Sequence, residues 1–298
     1  MLSQFLDYYK KAKMMQELKF ENGSWTEQDV NDDLVWNIPI YDVVNRKYAA
    51  FSSLLEAVVR KENDPKGNGK YFINLDIHNY DFIGLCYLFR LCGSGINYIP
   101  KYEEPWNTHG FGNFWVIDFL RQNKTDLLEW KDYIPESKFC DVKGYLLPMI
   151  KGGLKNFIEN ESVSLINYLI DFLHNNQNIG IKDVVDKGNN WLINNNYKRQ
   201  NFVLTAFAMD MAEYFPNLVD RDSDVYVGSN AKKCLKMIMP GVKHDYALRH
   251  LCELTGGYSK PYDMEDVACD FIRYMQNFQS DDHIKYNNGV KYYNNVFK

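Results

Sequence analysis

Apolar residues recur three and four positions apart over most of this chain, and that spacing predicts helices. In YDVVNRKYAAFSSLLEAVVRK, residues Val43, Val44, Ala50, Phe51, Leu54, Leu55 and Val58 would share one face. The following Asp64-Pro65, with Gly67 and Gly69, gives that helix a firm stop. The same period predicts helices over Tyr80 to Cys92, Gly112 to Gln122, Ser162 to His174, Lys182 to Ile193, Phe202 to Tyr214, Asn230 to Ile238, Tyr246 to Leu254 and Met264 to Phe278. Only Tyr71 to Leu75 has the composition of a strand, so the expected fold is mainly α.

Breaks in the pattern fall at NDPKGNGK, GSGINYIPKYEEPWNTHGFGN, the Asn-rich links near Asn175 and Asn194, and GGYSKPYD. The second is long, aromatic and rich in Gly and Pro, which makes it both a candidate functional loop and a candidate lobe junction near 93–113. Residues 1–280 read as a single bilobal helical domain, and 281–298 as a polar C-terminal tail.

Composition narrows the class. The chain of 298 residues is 46% apolar and 15% aromatic, which is the signature of a folded protein with a sizeable core. A net charge of -5 speaks against a chain coated in basic residues but leaves room for a local basic groove. Six cysteines are scattered without a C-x-x-C pair, which favours free thiols in a reducing cytoplasm. The N-terminal MLSQFLDYYKKAKMMQELKF lacks the unbroken apolar run of a signal peptide, and no stretch reads as a membrane span. A cytoplasmic protein without membrane partners is the expectation.

Several chemistries have no support. There is no G-x-x-x-x-G-K-[ST], no G-x-G-x-x-G after a strand, no G-x-S-x-G and no H-E-x-x-H, so neither a P-loop kinase nor a common hydrolase is indicated. His244 and His250 lie six apart, off any metal-ligand spacing, and no metal or cofactor is expected. His109 is the one histidine that stands in a loop as an acid-base candidate.

Two features do carry chemistry. The block FVLTAFAMDMAEYFPNLVDRDSDVYVGSNAKKCLKMIMP runs from an apolar helix into a loop with Asp220, Asp222 and Asp224. Gly228, Ser229 and Asn230 then open a helix whose first turn holds Lys232 and Lys233. Backbone N–H groups at such a start, beside two lysines, form an anion site suited to a phosphate. The plainer alternative is that Ser229 or Asn230 only caps the helix and the lysines are solvated. Asp210, inside the apolar run FAMDMA, also has two readings: a buried acid or base, or the partner of an arginine such as Arg90 in LCYLFRLC. Tyr98, Tyr102 and Trp106 are loop aromatics able to stack an exposed base.

GSNAKKCLKMI resembles the Gly-Pro-Gly-Ala/Ser-x-x-Gly-Leu segment of the alpha-glutamyl/putrescinyl thymine pyrophosphorylases and their amino-acid:DNA transferase relatives, matching at Gly228, Ala231 and Leu235. DMEDVACDFIRY is similar to that family's Asp-Val-Glu-x-x-Leu-Cys-Glu-Phe-x-Lys-Tyr, with Asp263, Glu265, Cys269, Asp270, Phe271, Arg273 and Tyr274 in register. FIGLCYLFRLC resembles the family helix that ends in an arginine, here Arg90. KGYLLPMIKGGLK is similar to a further segment at Gly144, Tyr145, Gly152 and Lys155, and FVLTAFAMDM to one carrying Phe202, Asp210 and Met211. The blocks keep their order from about residue 80 to 278. The family's Gly-x-Gly ahead of the Phe is replaced by Lys198-Arg199-Gln200-Asn201, and its N-terminal Asn-x-x-Arg-x-x-Asp is absent around Asn45 and Arg46.

The resemblance implies a helical, DNA-glycosylase-like bilobal bundle related to helix-hairpin-helix proteins. It further implies an enzyme that acts on a flipped 5-hydroxymethyluracil-type pyrimidine in phage-type DNA, displacing pyrophosphate with an amine or amino acid. DNA containing modified pyrimidines would be its partner, in a bacterial or phage-infected cell. Lys198, Arg199, Lys232 and Lys233, with Gly228, Ser229 and Asn230, would hold phosphates; Asp224 or Asp210 would activate the nucleophile and Arg90 would stabilise departing charge. A glycosylase excising a modified base, and a non-catalytic DNA-binding module, are the alternatives.

Overall fold

The computed structural model describes residues 1–18, 35, 41, 43–49, 52, 80–92, 157 and 161–278. They are mainly helical and fall into two compact units. The first draws its described residues from Met1–Ser52 and Val227–Lys298, the second from Ser53–Ile99 and His109–Tyr226. The chain crosses from one to the other between Tyr226 and Val227, inside the aspartate- and lysine-rich block. The lobe junction expected near 93–113, the helix expected over 112–122, the strand expected over 71–75 and the tail at 281–298 lie outside the described residues.

Among the described residues, the first unit contains four helices and a short turn: α1 (Leu2–Gln16), a 3₁₀ turn (Arg46–Tyr48), then, after the second unit, three further helices. These are Ser229–Ile238, His244–Leu254 and Pro261–Phe278. They become α6, α7 and α8 once the helices of the second unit are numbered: α2 (Tyr80–Cys92), α3 (Ser162–His174), α4 (Ile181–Asn194) and α5 (Asn201–Tyr214).

In the first unit α8 is the organising element. Pro261 opens it, where its missing N–H costs nothing, and Asp263 in the first turn accepts the backbone N–H of Lys260 at 2.8 Å. One side of α8 buries Met264, Val267, Ala268 and Phe271. Against it lie Ala231, Cys234, Leu235 and Ile238 of α6, spaced i, i+3, i+4, i+7, and Ala247, Leu248 and Leu251 of α7. Phe5 and Tyr8 of α1 close the core on Phe271, each with ring centroids 5.4 Å apart, and Tyr41 meets Tyr274 edge-on at 5.7 Å. In α1 the buried set Phe5, Tyr8, Tyr9, Ala12, Met15 and Gln16 has helical spacing.

The helix expected from Val43 onward is not what residues 43–49 adopt: they form bends and a 3₁₀ turn. Side chains take the backbone groups a helix would need. Gln16 Oε1 accepts the N–H groups of Val44 (2.9 Å) and Asn45 (2.8 Å), Asp263 accepts that of Arg46 (2.7 Å), and Ser259 Oγ donates to the Val44 carbonyl (2.6 Å). Asn45 accepts the N–H of Lys47 as well, in a local turn of its own.

The second unit centres on α5. Residues Val203 to Ala212 are buried without interruption, because α5 packs on both α4 and α2, while α3 covers α4 and α2. At Gly188, α4 comes so near α5 that an added Cβ would stand 2.7 Å from Leu204 Cδ2. A two-residue parallel bridge, unforeseen from the alternation of residues, pairs β1 (Ile179–Gly180) with β2 (Val219–Asp220) and ties the entry of α4 to the loop after α5. Gly180 donates its N–H to Asp183 at 2.8 Å, the same first-turn aspartate device that opens α8. No helix among the described residues is long and apolar enough to cross a membrane.

Candidate nucleic-acid interface

In the second unit α4 and α5 are joined by residues 195–200, and this link presents exposed Lys198 and Arg199. Its two ends are fixed from below. Gln200 accepts the Tyr87 hydroxyl at 2.6 Å and donates its backbone N–H to Asn189 at 2.8 Å, and Asn189 in turn donates to Asn201 at 2.7 Å. Asn196 adopts the left-handed conformation (φ 64°), which asparagine tolerates and which reverses the chain after α4. Tyr197 stacks on Trp191, with planes 5° apart. Anchoring on α2 and α4 therefore leaves the two cations at the outer edge.

The acidic loop after β2 is held just as locally. Asp220 accepts the N–H of Asp222 at 2.9 Å, and Ser223 donates its hydroxyl to the Asp220 carbonyl at 2.7 Å while accepting the N–H of Ile181 at 2.9 Å. At its end, Tyr226 donates to Asp186 of α4 at 2.7 Å, with Lys182 Nζ 5.8 Å from the centre of its ring. The bond to Asp186 raises the pKa of Tyr226, assisted by burial and the Asp186 charge, and the positive charge of Arg199 opposes them. Tyr226 thus feels the basic link and the first turns of α4 together. Asp222 is exposed and Asp224 half-buried in this loop.

Beside it, α3 and α4 border an open cleft of about 340 Å³ lined by Phe172, Asn176, Asp183, Asp186, Lys187 and Asn190 among others. Lys187 lies over the rings of Tyr168 (4.6 Å) and Phe172 (5.2 Å). Comparison with protein-family models, curated proteins and solved structures returns no match.

Of the two readings open for Asp210, the structure contains the ion pair. Arg90 Nε and Nη2 donate to its two carboxylate oxygens at 2.7 and 2.6 Å, with side chains 1% and 4% exposed. Both oxygens are engaged and both groups are shut from water, so the pair joins α2 to α5.

The predicted phosphate-binding residues Gly228 to Lys233 belong to the first unit. Lys232 and Lys233 are exposed there, but neither Ser229 nor Asn230 caps α6 through its side chain; Gly228 stands at the cap. Its N–H is donated to Glu265 of α8 at 2.7 Å, so a carboxylate of the protein meets the backbone at this point. A Cβ on residue 228 would lie 3.0 Å from Glu265 Oε1, a tight contact that the end of this side chain would have to yield to. Burial pushes the pKa of Glu265 up to about 7, with the Asp266 charge adding to it, while the Gly228 N–H and the charges of Arg46 and Arg273 oppose the rise.

The remaining polar residues of DMEDVACDFIRY bond within α8 or to the turn at Arg46. Asp263 holds the turn at Arg46, Arg46 Nη1 reaches Asp266 at 3.0 Å, and Arg273 reaches Asp270 at 3.1 Å. Cys269 and the facing Cys234 have thiols raised to about 12 by burial, which makes them poor nucleophiles. Among the described residues no group of three His, Cys, Asp or Glu side chains could hold a metal ion. Tyr98, Tyr102, Trp106, His109, Gly144, Tyr145, Gly152 and Lys155 lie outside the described residues.

Sequence reasoning missed Gln16, Gln200, Asp186 and Tyr226. Tyr226 follows the aspartates in sequence, yet only the fold brings Asp186, forty residues earlier, to its hydroxyl.

Proposed function

We propose that this protein is a DNA base-processing enzyme acting on a flipped, activated pyrimidine of the 5-hydroxymethyluracil type. The nitrogen of an amine or amino acid would attack the methylene carbon on C5 of the base. A C–N bond forms, the C–O bond to pyrophosphate breaks, and pyrophosphate leaves with the bonding pair. Asp224 would take the proton the amine loses, and Lys198 and Arg199 would hold backbone or leaving phosphates. Arg90 and Asp210 are assigned instead to holding α2 on α5.

One observation carries this reading: the cationic link after α4 and the acidic loop after α5 converge on Tyr226, where Arg199, Lys182 and Asp186 all act on one side chain. Cations for phosphate beside a half-buried carboxylate are what a phosphate-displacing step on a polyanion needs. Resemblance of the GSNAKKCL and DMEDVACDFIRY blocks supplies the base chemistry.

The test is nucleoside mass spectrometry of DNA carrying pyrophosphorylated 5-hydroxymethyluracil, incubated with the protein and a primary amine. Pyrophosphate release with a new aminated nucleoside is expected, and Asp224→Asn should abolish it while preserving DNA affinity. Abasic sites would instead make the protein a glycosylase. Binding with no altered nucleoside would reduce it to a DNA-binding module.

A further inference from the structure

We propose that the solvent face of the α6–turn–α7 hairpin, residues 232–250 of the first unit, is a binding surface for single-stranded nucleic acid. The choice of a nucleic-acid occupant rests on the functional reading above; the location and the residues do not. Both helices turn their apolar sides to α8, so their opposite sides face water. On α6 that outer stripe is Lys232, Lys233, Lys236 and Met237, all exposed. On α7 it is Tyr246, Arg249 and His250, at the i, i+3, i+4 spacing that places side chains together.

Charge sets this face apart. Residues 229–254 carry four lysines and one arginine against one aspartate and one glutamate, Glu253, which lies 3.3 Å from His250 Nδ1, in a chain whose net charge is -5. Lys232, Lys233, Lys236 and Lys243 form no ion pair with any described residue. Such a concentration complements a polyanion.

The turn adds shape. Met239-Pro240-Gly241-Val242 is a type II turn, with proline in the second position, Gly241 at φ +81° in the third, and Val242 N–H donated to the Met239 carbonyl at 3.3 Å. A Cβ on Gly241 would have nothing within 4 Å, so its backbone stands clear and open to close approach. Val242 is 45% exposed, and Tyr246 one turn further is 72% exposed.

A tyrosine that exposed, flanked on its own helix by Lys243 and Arg249, is a stacking platform between two phosphate contacts. Bases within a duplex are already stacked, so the aromatic selects an opened or single strand. Met237 and Val242 extend the apolar footing beneath the bases.

Fluorescence anisotropy with a labelled 20-mer of oligothymidine tests the surface, using the full chain, across a salt series. Lys236→Glu with Lys243→Glu is expected to weaken binding on the order of ten-fold or more and to lower the slope of log affinity against log salt by about 2. Tyr246→Ala should weaken it on the order of five- to a hundred-fold with the slope unchanged. All three positions are exposed, and circular dichroism checks that the variants stay folded. Affinities equal to wild type in these variants, while Lys198→Glu with Arg199→Glu lowers binding, would overturn this surface and leave the base-processing reading standing. Binding that depends on the surface with no chemical change to any modified base would do the reverse. Binding of wild type to vesicles of anionic phospholipid but not to the oligonucleotide also overturns the proposal.

Discussion

Arg90 and Asp210 meet through two parallel hydrogen bonds with both side chains withdrawn from water, linking α2 to α5 across 120 positions of sequence. A bidentate pair of this kind has every charged oxygen occupied. Losing one partner strands the other charge in the core. Arg90→Met or Asp210→Asn is therefore expected to cost about 3–5 kcal/mol in urea unfolding, whereas the double change to leucines should come close to neutral. A loss of turnover in Asp210→Asn without loss of stability would contradict the structural assignment.

Gly188 tests the contact between α4 and α5. Alanine there would bring its methyl to 2.7 and 2.9 Å from the two terminal carbons of Leu204, and overpacking of this kind costs about 1–3 kcal/mol. Leu204→Ala alone should also destabilise. Combined, the two changes should cost clearly less than their sum, because the second makes room for the first; thermal unfolding of the four-member cycle measures the coupling.

Glu265 gives the first unit a pH dependence. Its folded pKa of about 7 lies above the ordinary 4.5, so the folded protein holds a proton that the unfolded chain releases between those values. The corresponding stability is full below pH about 4.5 and is lost as pH rises through about 7, on the order of 3 kcal/mol in all. Glu265→Gln keeps an acceptor for Gly228 and cannot ionise. Melting temperatures of the variant at pH 5 and pH 8 should differ less than those of the wild type, with the variant the more stable at pH 8.

Gln16 is the sharpest probe of the turn at 43–48. It is fully buried, accepts two backbone N–H groups and donates to the Tyr258 hydroxyl at 2.7 Å. Gln16→Ala leaves the buried N–H of Val44 and the part-buried N–H of Asn45 without this acceptor, which should cost on the order of 2 kcal/mol. Amide hydrogen exchange should show Val44 and Asn45 losing protection before the rest of the unit.

Among the described residues, helical spacing carried every helix except α1 (Leu2–Gln16), whose apolar set at 5, 8, 9, 12 and 15 was not read as a helix. The expected segments at 80–92 and 162–174 coincide with α2 and α3, and those from 182 to 278 differ from the observed helices by three residues or fewer at any end. At residues 43–49, tertiary hydrogen bonds decided against the expected helix. Val43 and Val44 have the right period for a helix, but the acceptor claiming the Val44 N–H sits on α1, 28 residues away. The bridge between Ile179 and Val219 is two residues long, too short for alternation to signal it.

The sequence singles out residue types more readily than it assigns their roles. Lys198, Arg199, Lys232 and Lys233, expected to hold phosphates, are exposed side chains in the structure. By contrast, the apolar setting of Asp210 left two readings open, since a buried base and a buried partner look alike until the arginine is found. Glu265 was noted only for matching a motif, although its carboxylate meets the start of α6.

Tyr9 and Ser259 share a hydrogen bond of 2.7 Å across 250 positions of sequence, within a unit whose chain is interrupted by the whole of the other. During synthesis the interrupting unit leaves the ribosome complete while α1 still awaits α6, α7 and α8. Folding of the first unit must close that long gap, whereas the second can proceed on contacts nearer in sequence. The amphipathic α1 is made before the second unit and keeps its aromatic side uncovered until α6, α7 and α8, made after that unit, shelter it.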